Sequence, residues 1–135
     1  MSEKIGPSLS FTLLCDDVRQ EIGGKISLMG IFENIYAAAF PAIHPRLAIV
    51  NEWADGIGEF LATLRILSPN KRHVLRENVT KLKFPGAVSR QRDVSIHLNL
   101  QFREQGTYWI ENYLDGLIVN SIPLHVIAVK EKSFH

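Results

Sequence analysis

Several carboxylates fall where apolar segments of the chain give way to polar ones: Asp16 and Asp17, Glu21, Asp55 and Asp115. Carboxylates converging from loops can hold a hard cation such as calcium through oxygen ligands, which makes Asp16, Asp17, Asp55 and Asp115 the candidate metal ligands. Arg90 and Arg92, beside Asp93, would complete a hydrolase by holding a substrate anion near those acids. The competing reading is that loop aspartates shape turns, cap and carry solvation. A second group, His44, Arg46, Lys71, Arg72, His73 and Arg103, forms a modest basic rim at the opposite set of loops. Such a rim suits an anion, or plain solvation.

Stronger chemical signatures are missing. Gly56-Ile57-Gly58 precedes a strand, so its glycines have no helix N-terminus to offer a phosphate. No serine sits in a nucleophile elbow. His44, His73, His97, His125 and His135 are dispersed, with no pair at metal-ligand spacing. His97 and His125, on alternating segments, read as exposed strand residues. The expectation is therefore a chain that is not an enzyme and that carries no cofactor and no metal.

Those loops acquire positions only through the strands between them. Leu9 to Leu14 alternates and ends at Asp16-Asp17, either of which suits a single capped turn leading to Gly23-Gly24. Lys25 to Ile35 and Arg46 to Trp53 are apolar on both sides, the mark of strands that lie centrally or meet something on the outer face. Gly30 inside the first of these predicts a bulge or a close backbone approach. Residues 37–45, with Pro41 and Pro45, read as a loop. Glu59 to Leu67 alternates well, and the more polar 73–84 suits an edge. Val94, Ile96, Leu98, Leu100 and Phe102 are spaced to face inward, leaving Ser95, His97, Asn99 and Gln101 outside. Two last segments flank Asp115-Gly116, a favoured pair for a two-residue hairpin turn.

About eight short strands without a convincing amphipathic helix predict an all-β protein. The Gly106-x-Tyr108 step before the final hairpin resembles the tyrosine corner of immunoglobulin-like domains, and with it the expected class is an immunoglobulin-like antiparallel β-sandwich. At 135 residues the chain is most simply one domain, 1–135, with an ordered core of about 8–130 and loose tails, Met1 to Pro7 and Glu131 to His135.

Composition narrows the partners. Apolar residues at 46% and charged residues at 21% are ordinary for a globular protein. A net charge of +1, from 15 basic and 14 acidic residues without a basic stripe, argues against nucleic acid and anionic membrane surfaces. No apolar run approaches the ~20 residues of a membrane helix. One cysteine, Cys15, allows no intrachain disulfide, and with no secretory pattern at the N-terminus the expected location is cytoplasmic. Cys15 lies in an apolar run and reads as a small buried side chain.

In order of features the chain resembles a family of short bacterial proteins known only as a domain of unknown function. The likeness rests on the apolar strand running into Asp16, on Gly24-Lys25-Ile26-Ser27-Leu28-Met29-Gly30-Ile31-Phe32, on the stretch from Phe40-Pro41 to His44-Pro45, and on Gly106-x-Tyr108. It spans roughly residues 9–129, implies a cytosolic β-sandwich and carries over no catalytic residue.

The final hairpin gives the functional expectation. With Tyr108, Ile110 and Leu114 facing the core, Trp109, Glu111 and Tyr113 face outward, beside Val119, Pro123 and Ile127 of the last strand. In an immunoglobulin-like arrangement the other neighbour would be the apolar third strand, 46–53. The outer face would then be an aromatic and aliphatic patch, covered by the 37–45 loop or used as an interface. A homodimer is its simplest form. The functional expectation is a protein-interaction module, with a small-ligand or metal-binding module as the alternative.

Overall fold

The computed structural model describes residues 4–86 and 88–130, so the expected tail from Glu131 to His135 lies outside the described residues. The described chain is all-β. In order its strands are β1 (Ser8–Gln20), β2 (Ile26–Phe32), β3 (Asn34–Ala37), β4 (Ala42–Ala54), β5 (Gly58–Leu67), β6 (Val74–Phe84), β7 (Arg90–Phe102), β8 (Gly106–Leu114) and β9 (Leu117–Ala128). They form a four-stranded sheet, β2-β1-β4-β7, and a five-stranded sheet, β3-β9-β8-β5-β6. Short β3 runs parallel to β9 and every other pair is antiparallel.

The two sheets bury a shared core. Leu47, Ile49 and Leu100 of the first meet Ile66, Ile110 and Leu124 of the second, all fully buried. Trp53, Phe60, Leu82 and Phe84 make a second cluster. Asn51 and Asn112 are buried with the apolar core, at 1% exposure each. Burying an amide is costly unless it is paired, and these two pair across the sheets: Asn51 Nδ2 donates to Asn112 Oδ1 at 2.8 Å. Asn112 Nδ2 donates in turn to Thr12 Oγ1 (3.2 Å) and Asn120 Oδ1 (2.9 Å). The network ties β1, β4, β8 and β9 in one register.

Several expected boundaries shift. The β1 strand runs through Asp16 and Asp17 to Gln20, in place of the expected capped turn, because Asp17, Val18, Arg19 and Gln20 pair with β2. The predicted 25–35 strand is two strands in different sheets, β2 and β3, and β2 lies at an edge rather than centrally. Residues 42–45 belong to β4, so the loop shrinks to the few residues after β3 and includes the cis Phe40–Pro41 bond. Ile5, expected in a loose tail, makes an antiparallel bridge to Ile57. The 73–84 strand does lie at an edge.

The inward set assigned to β7 is half inverted. Leu100 and Phe102 are buried, but so are Asp93, Ser95 and His97, while Val94, Ile96 and Leu98 are 38–54% exposed. The alternation changes phase at Asn99, whose φ is 51°. On β4 the phase changes at the same level, since the inner set becomes Leu47, Ile49, Asn51 and Trp53 only after Pro45. Both strands turn together, so their register is unbroken from Ala42–Phe102 to Ala54–Arg90.

A matching change occurs between β1 and β2. Gly30, at φ 70°, lies opposite Asp16, and a Cβ there would run into the Asp16 carboxylate. The expected close approach at Gly30 is thus met, and its partner is Asp16. Beyond this point Val18, Ile26 and Leu28 pack with Cys15, Ala48 and Val50 in a third cluster on the outer side of the first sheet. The tip of the β1–β2 hairpin curls over β4, which is why β4 is apolar on both faces.

Candidate functional site

The outer face of the five-stranded sheet carries Trp109, Glu111 and Tyr113, as expected from their spacing. Their neighbour, however, is β5 and not the third predicted strand, which is β4 and belongs to the other sheet. The face is therefore less aliphatic than the sequence suggested. Across the ladders Arg65 stands opposite Glu111, Thr63 opposite Tyr113 and Leu67 opposite Trp109. A bulge between Asn112 and Tyr113 sets Ile118, not Val119, directly beside Tyr113. Pro123 lies opposite Trp109, and Ile127 lies farther along β9 beside Tyr36.

This face is banded. One row reads Val79, Thr63, Tyr113, Ile118 across β6, β5, β8 and β9; the next reads Glu77, Arg65, Glu111, Ser121; the third places Leu67, Trp109 and Pro123 side by side. Glu111 is the hub of the middle row and only 5% exposed. It accepts from Tyr113 Oη (2.6 Å), Lys71 Nζ (3.1 Å) and Ser121 Oγ (3.3 Å). Burial pushes its carboxyl up, but the hydrogen bonds from Tyr113 and Lys71 outweigh that and hold it below the ordinary carboxylate range. The hydrogen bond to Glu111 raises the Tyr113 phenol in return.

Both aromatic rings are engaged by cations. Lys71 Nζ lies 4.6 Å from the Trp109 ring centre, and the Arg65 guanidinium lies 5.0 Å from that of Tyr113. Trp109 and Tyr113 are half-buried, and the more exposed apolar residues of this face are their neighbours Val79 and Ile118. Lys71, expected on a basic rim, reaches over the sheet from the β5–β6 turn instead. Chain separation hides that contact, because Lys71 and Glu111 are 40 positions apart.

The candidate metal ligands do not converge. Because β1 and β4 are antiparallel neighbours, Asp16 and Asp17 lie toward the start of β4, while Asp55 follows its end. Asp17 pairs with Arg46 at 2.9 Å, joining residues assigned to opposite ends. The Val18 amide and Arg46 hold its carboxyl below the usual range. Asp115, in the β8–β9 turn, accepts the Leu61 amide (2.9 Å) and pairs with Lys4 (3.0 Å), which lower its pKa in that order. Asp55 occupies a turn at φ 64°, and Glu21 accepts from Ser27 Oγ. Among the described residues no three metal-ligating side chains cluster.

Arg90 and Arg92 hold a carboxylate the sequence did not single out. Glu52, 5% exposed, accepts from Arg90 Nη1 at 3.1 Å and lies 3.4 Å from Arg92 Nε. Asp93 points the other way, into the protein, where Thr80 Oγ1 donates to it at 3.0 Å. Burial raises the Asp93 carboxyl above its ordinary value despite that bond. His97, expected outside, is also buried; its Nε2 meets Ser95 Oγ at 3.0 Å, and burial and the nearby Arg76 charge lower its pKa. His125 pairs with Thr107 on the outer face, at a distance from His97 set by the two sheets.

Two concavities flank this framework. One, of about 480 Å³, lies on the outer side of the four-stranded sheet between the β1–β2 tip and β7. The other, of about 600 Å³, lies between the β5–β6 turn and the end of β7, with Arg76 and Arg103 in its lining. The basic rim is thus partly real, but Arg46 and Lys71 are committed elsewhere.

The chain belongs to a family of unknown function, DUF6941, whose model matches residues 10–127. No curated protein matches it.

Proposed function

We propose that this protein is a non-enzymatic protein-interaction module that forms a homodimer through the outer face of the five-stranded sheet. The observation that carries this reading is the open row of Val79, Thr63, Tyr113 and Ile118, in which Val79 and Ile118 are 55% and 56% exposed. The short link after β3 leads into β4 of the other sheet and leaves this row uncovered. The adjoining row holds two acids, Glu77 and Glu111, and two bases, Arg65 and Lys71, paired within the chain. A second copy brought up by two-fold rotation therefore adds apolar contact without a surplus of like charge.

An immunoglobulin-like sandwich is the frame we take for it. In favour are the Tyr108 hydroxyl donating to the Glu104 carbonyl at 2.7 Å, just before β8, and the grouping of β1, β4 and β7 in one sheet against β5, β8 and β9 in the other. The free, buried Cys15 accords with a cytosolic protein, and the bacterial assignment rests on the family resemblance.

The test is the mass in solution. The wild type should exceed one chain by analytical ultracentrifugation, and Ile118→Lys, outside the Glu111 network, should shift it to monomer while circular dichroism shows the same β-rich fold; its melting temperature should lose only the concentration-dependent part that dimerisation adds. A wild-type monomer at the highest soluble concentration refutes the homodimer.

A further inference from the structure

We infer that the groove on the outer side of the four-stranded sheet binds a small amphipathic anion, a carboxylate head on an aliphatic tail. The groove's volume, about 480 Å³, lies within the roughly 300–1,000 Å³ of small-molecule sites. One wall is the curled hairpin tip, with Val18 and Ile26; the other is β7, with Arg90, Arg92, Val94 and Ile96. Buried Ala48 and Val50 separate the two, paired with Ile96 and Val94 respectively.

Folding alone does not account for this face. On β7 it turns three aliphatic side chains toward solvent and buries an aspartate, a serine and a histidine in their place. The opposite phase would bury the aliphatics and hydrate the polar groups at lower cost. A sequence that breaks its own local pattern and does not recover the cost through packing marks a functional surface.

Charge and apolarity are segregated along the groove. Arg90 and Arg92 share the single carboxylate of Glu52, leaving one positive charge in excess. Glu52 uses Arg90 Nη1 and Arg92 Nε, so among the described residues Arg90 Nη2 and both terminal nitrogens of Arg92 have no protein acceptor. Donors of this kind, oriented by a buried acid, suit a planar carboxylate. Val94 and Ile96 follow at alternate positions, the latter about 13 Å along the strand from Arg92. The head therefore lies at the arginines and the tail runs toward Ile96. A bare inorganic anion would leave the aliphatic walls unused.

Sodium decanoate is the probe, titrated by calorimetry below its micelle concentration, with acetate and 1-decanol as controls lacking tail or head charge. Decanoate should bind at one saturable site and raise the melting temperature, with acetate and decanol each at least tenfold weaker. Arg92→Gln, which leaves Arg90 on Glu52, and Ile96→Ser, at a side chain already 44% exposed, should each weaken decanoate at least tenfold while urea unfolding confirms a folded chain. Val94→Ala serves if either variant fails to fold. Absence of saturable decanoate binding overturns the proposal, as does binding that acetate or decanol equals or that the folded variants leave unchanged.

Discussion

Pro45 and Asn99 stand opposite each other between the His44–Leu100 and Arg46–Leu98 pairs, and at this rung both strands exchange their buried face. Proline brings no amide hydrogen, and Asn99 takes a left-handed φ of 51°. The rung can therefore rotate out of the regular ladder while the pairs on either side keep their register. Below it Leu100 and Phe102 fill the core; above it Val94 and Ile96 face outward and line the groove.

Asparagine tolerates the left-handed conformation, whereas a β-branched residue does so only under strain. Asn99→Val should cost about 1–3 kcal/mol in urea unfolding, and Asn99→Gly should stay near wild type. Equal stability for the valine variant would mean that the phase change is not held by the backbone at Asn99.

This rung also marks how far the sequence can be read. Elements bounded by strong local chemistry were legible: the Asp115-Gly116 turn, the Glu59 to Leu67 strand within β5, and the inward placement of Tyr108 and Ile110. The inversion of β7 was not, because Val94 through Phe102 keeps perfect alternation in sequence, and the change of phase comes from one dihedral angle at an exposed asparagine. The Glu111 hub was hidden for a different reason. Its outward position followed from the period of two, but its burial depends on Lys71 and Arg65, brought in by strand pairings that no local pattern encodes. The carboxylate cluster failed on strand direction: the expected 25–35 strand is split into β2 and β3, so β4 runs antiparallel to β1 and Asp17 lies at the opposite end from Asp55.

Asp93 and His97 give opposite signatures in pH. The folded-state pKa of Asp93 is raised by burial, so its contribution is most favourable below the unfolded value of about 3.9 and is lost as pH rises toward the folded value. Asp93→Asn keeps an acceptor for Thr80 and should raise the melting temperature at pH 7 but not at pH 3. His97 is shifted down, so stability falls as pH drops below about 6.5, where the unfolded chain takes up the proton first. His97→Gln should flatten that limb in melts between pH 7 and 5.

The asparagine pair between the sheets is a second buried polar commitment. Asn112→Ala removes the partner of Asn51 and one partner each of Thr12 and Asn120. An unsatisfied buried amide costs about 1–3 kcal/mol, and denaturant unfolding should show a loss of that size. If the two amides act as a unit, Asn51→Ala with Asn112→Ala should cost less than the sum of the single changes.

Glu111 supplies the acid limb of stability. Its folded pKa is depressed, so its contribution is fully present above the unfolded value of about 4.3 and is lost as pH falls through the folded value. Glu111→Gln still accepts from Tyr113 but leaves Lys71 without its ion pair over the Trp109 ring. At pH 7 it should cost about 1–3 kcal/mol, the range for a buried polar group that loses a charged partner. Below pH 4 the difference from wild type should narrow, because protonation has already removed the same charge. Lys71→Met separates the hub from the face itself: it removes the ion pair from the exposed side and leaves the Tyr113 bond in place. If the network is one unit, the Lys71→Met and Glu111→Gln losses will not add. Additive losses would make Lys71 a surface charge independent of Glu111, and Trp109 would then owe its half-buried position to β5 and β9 alone.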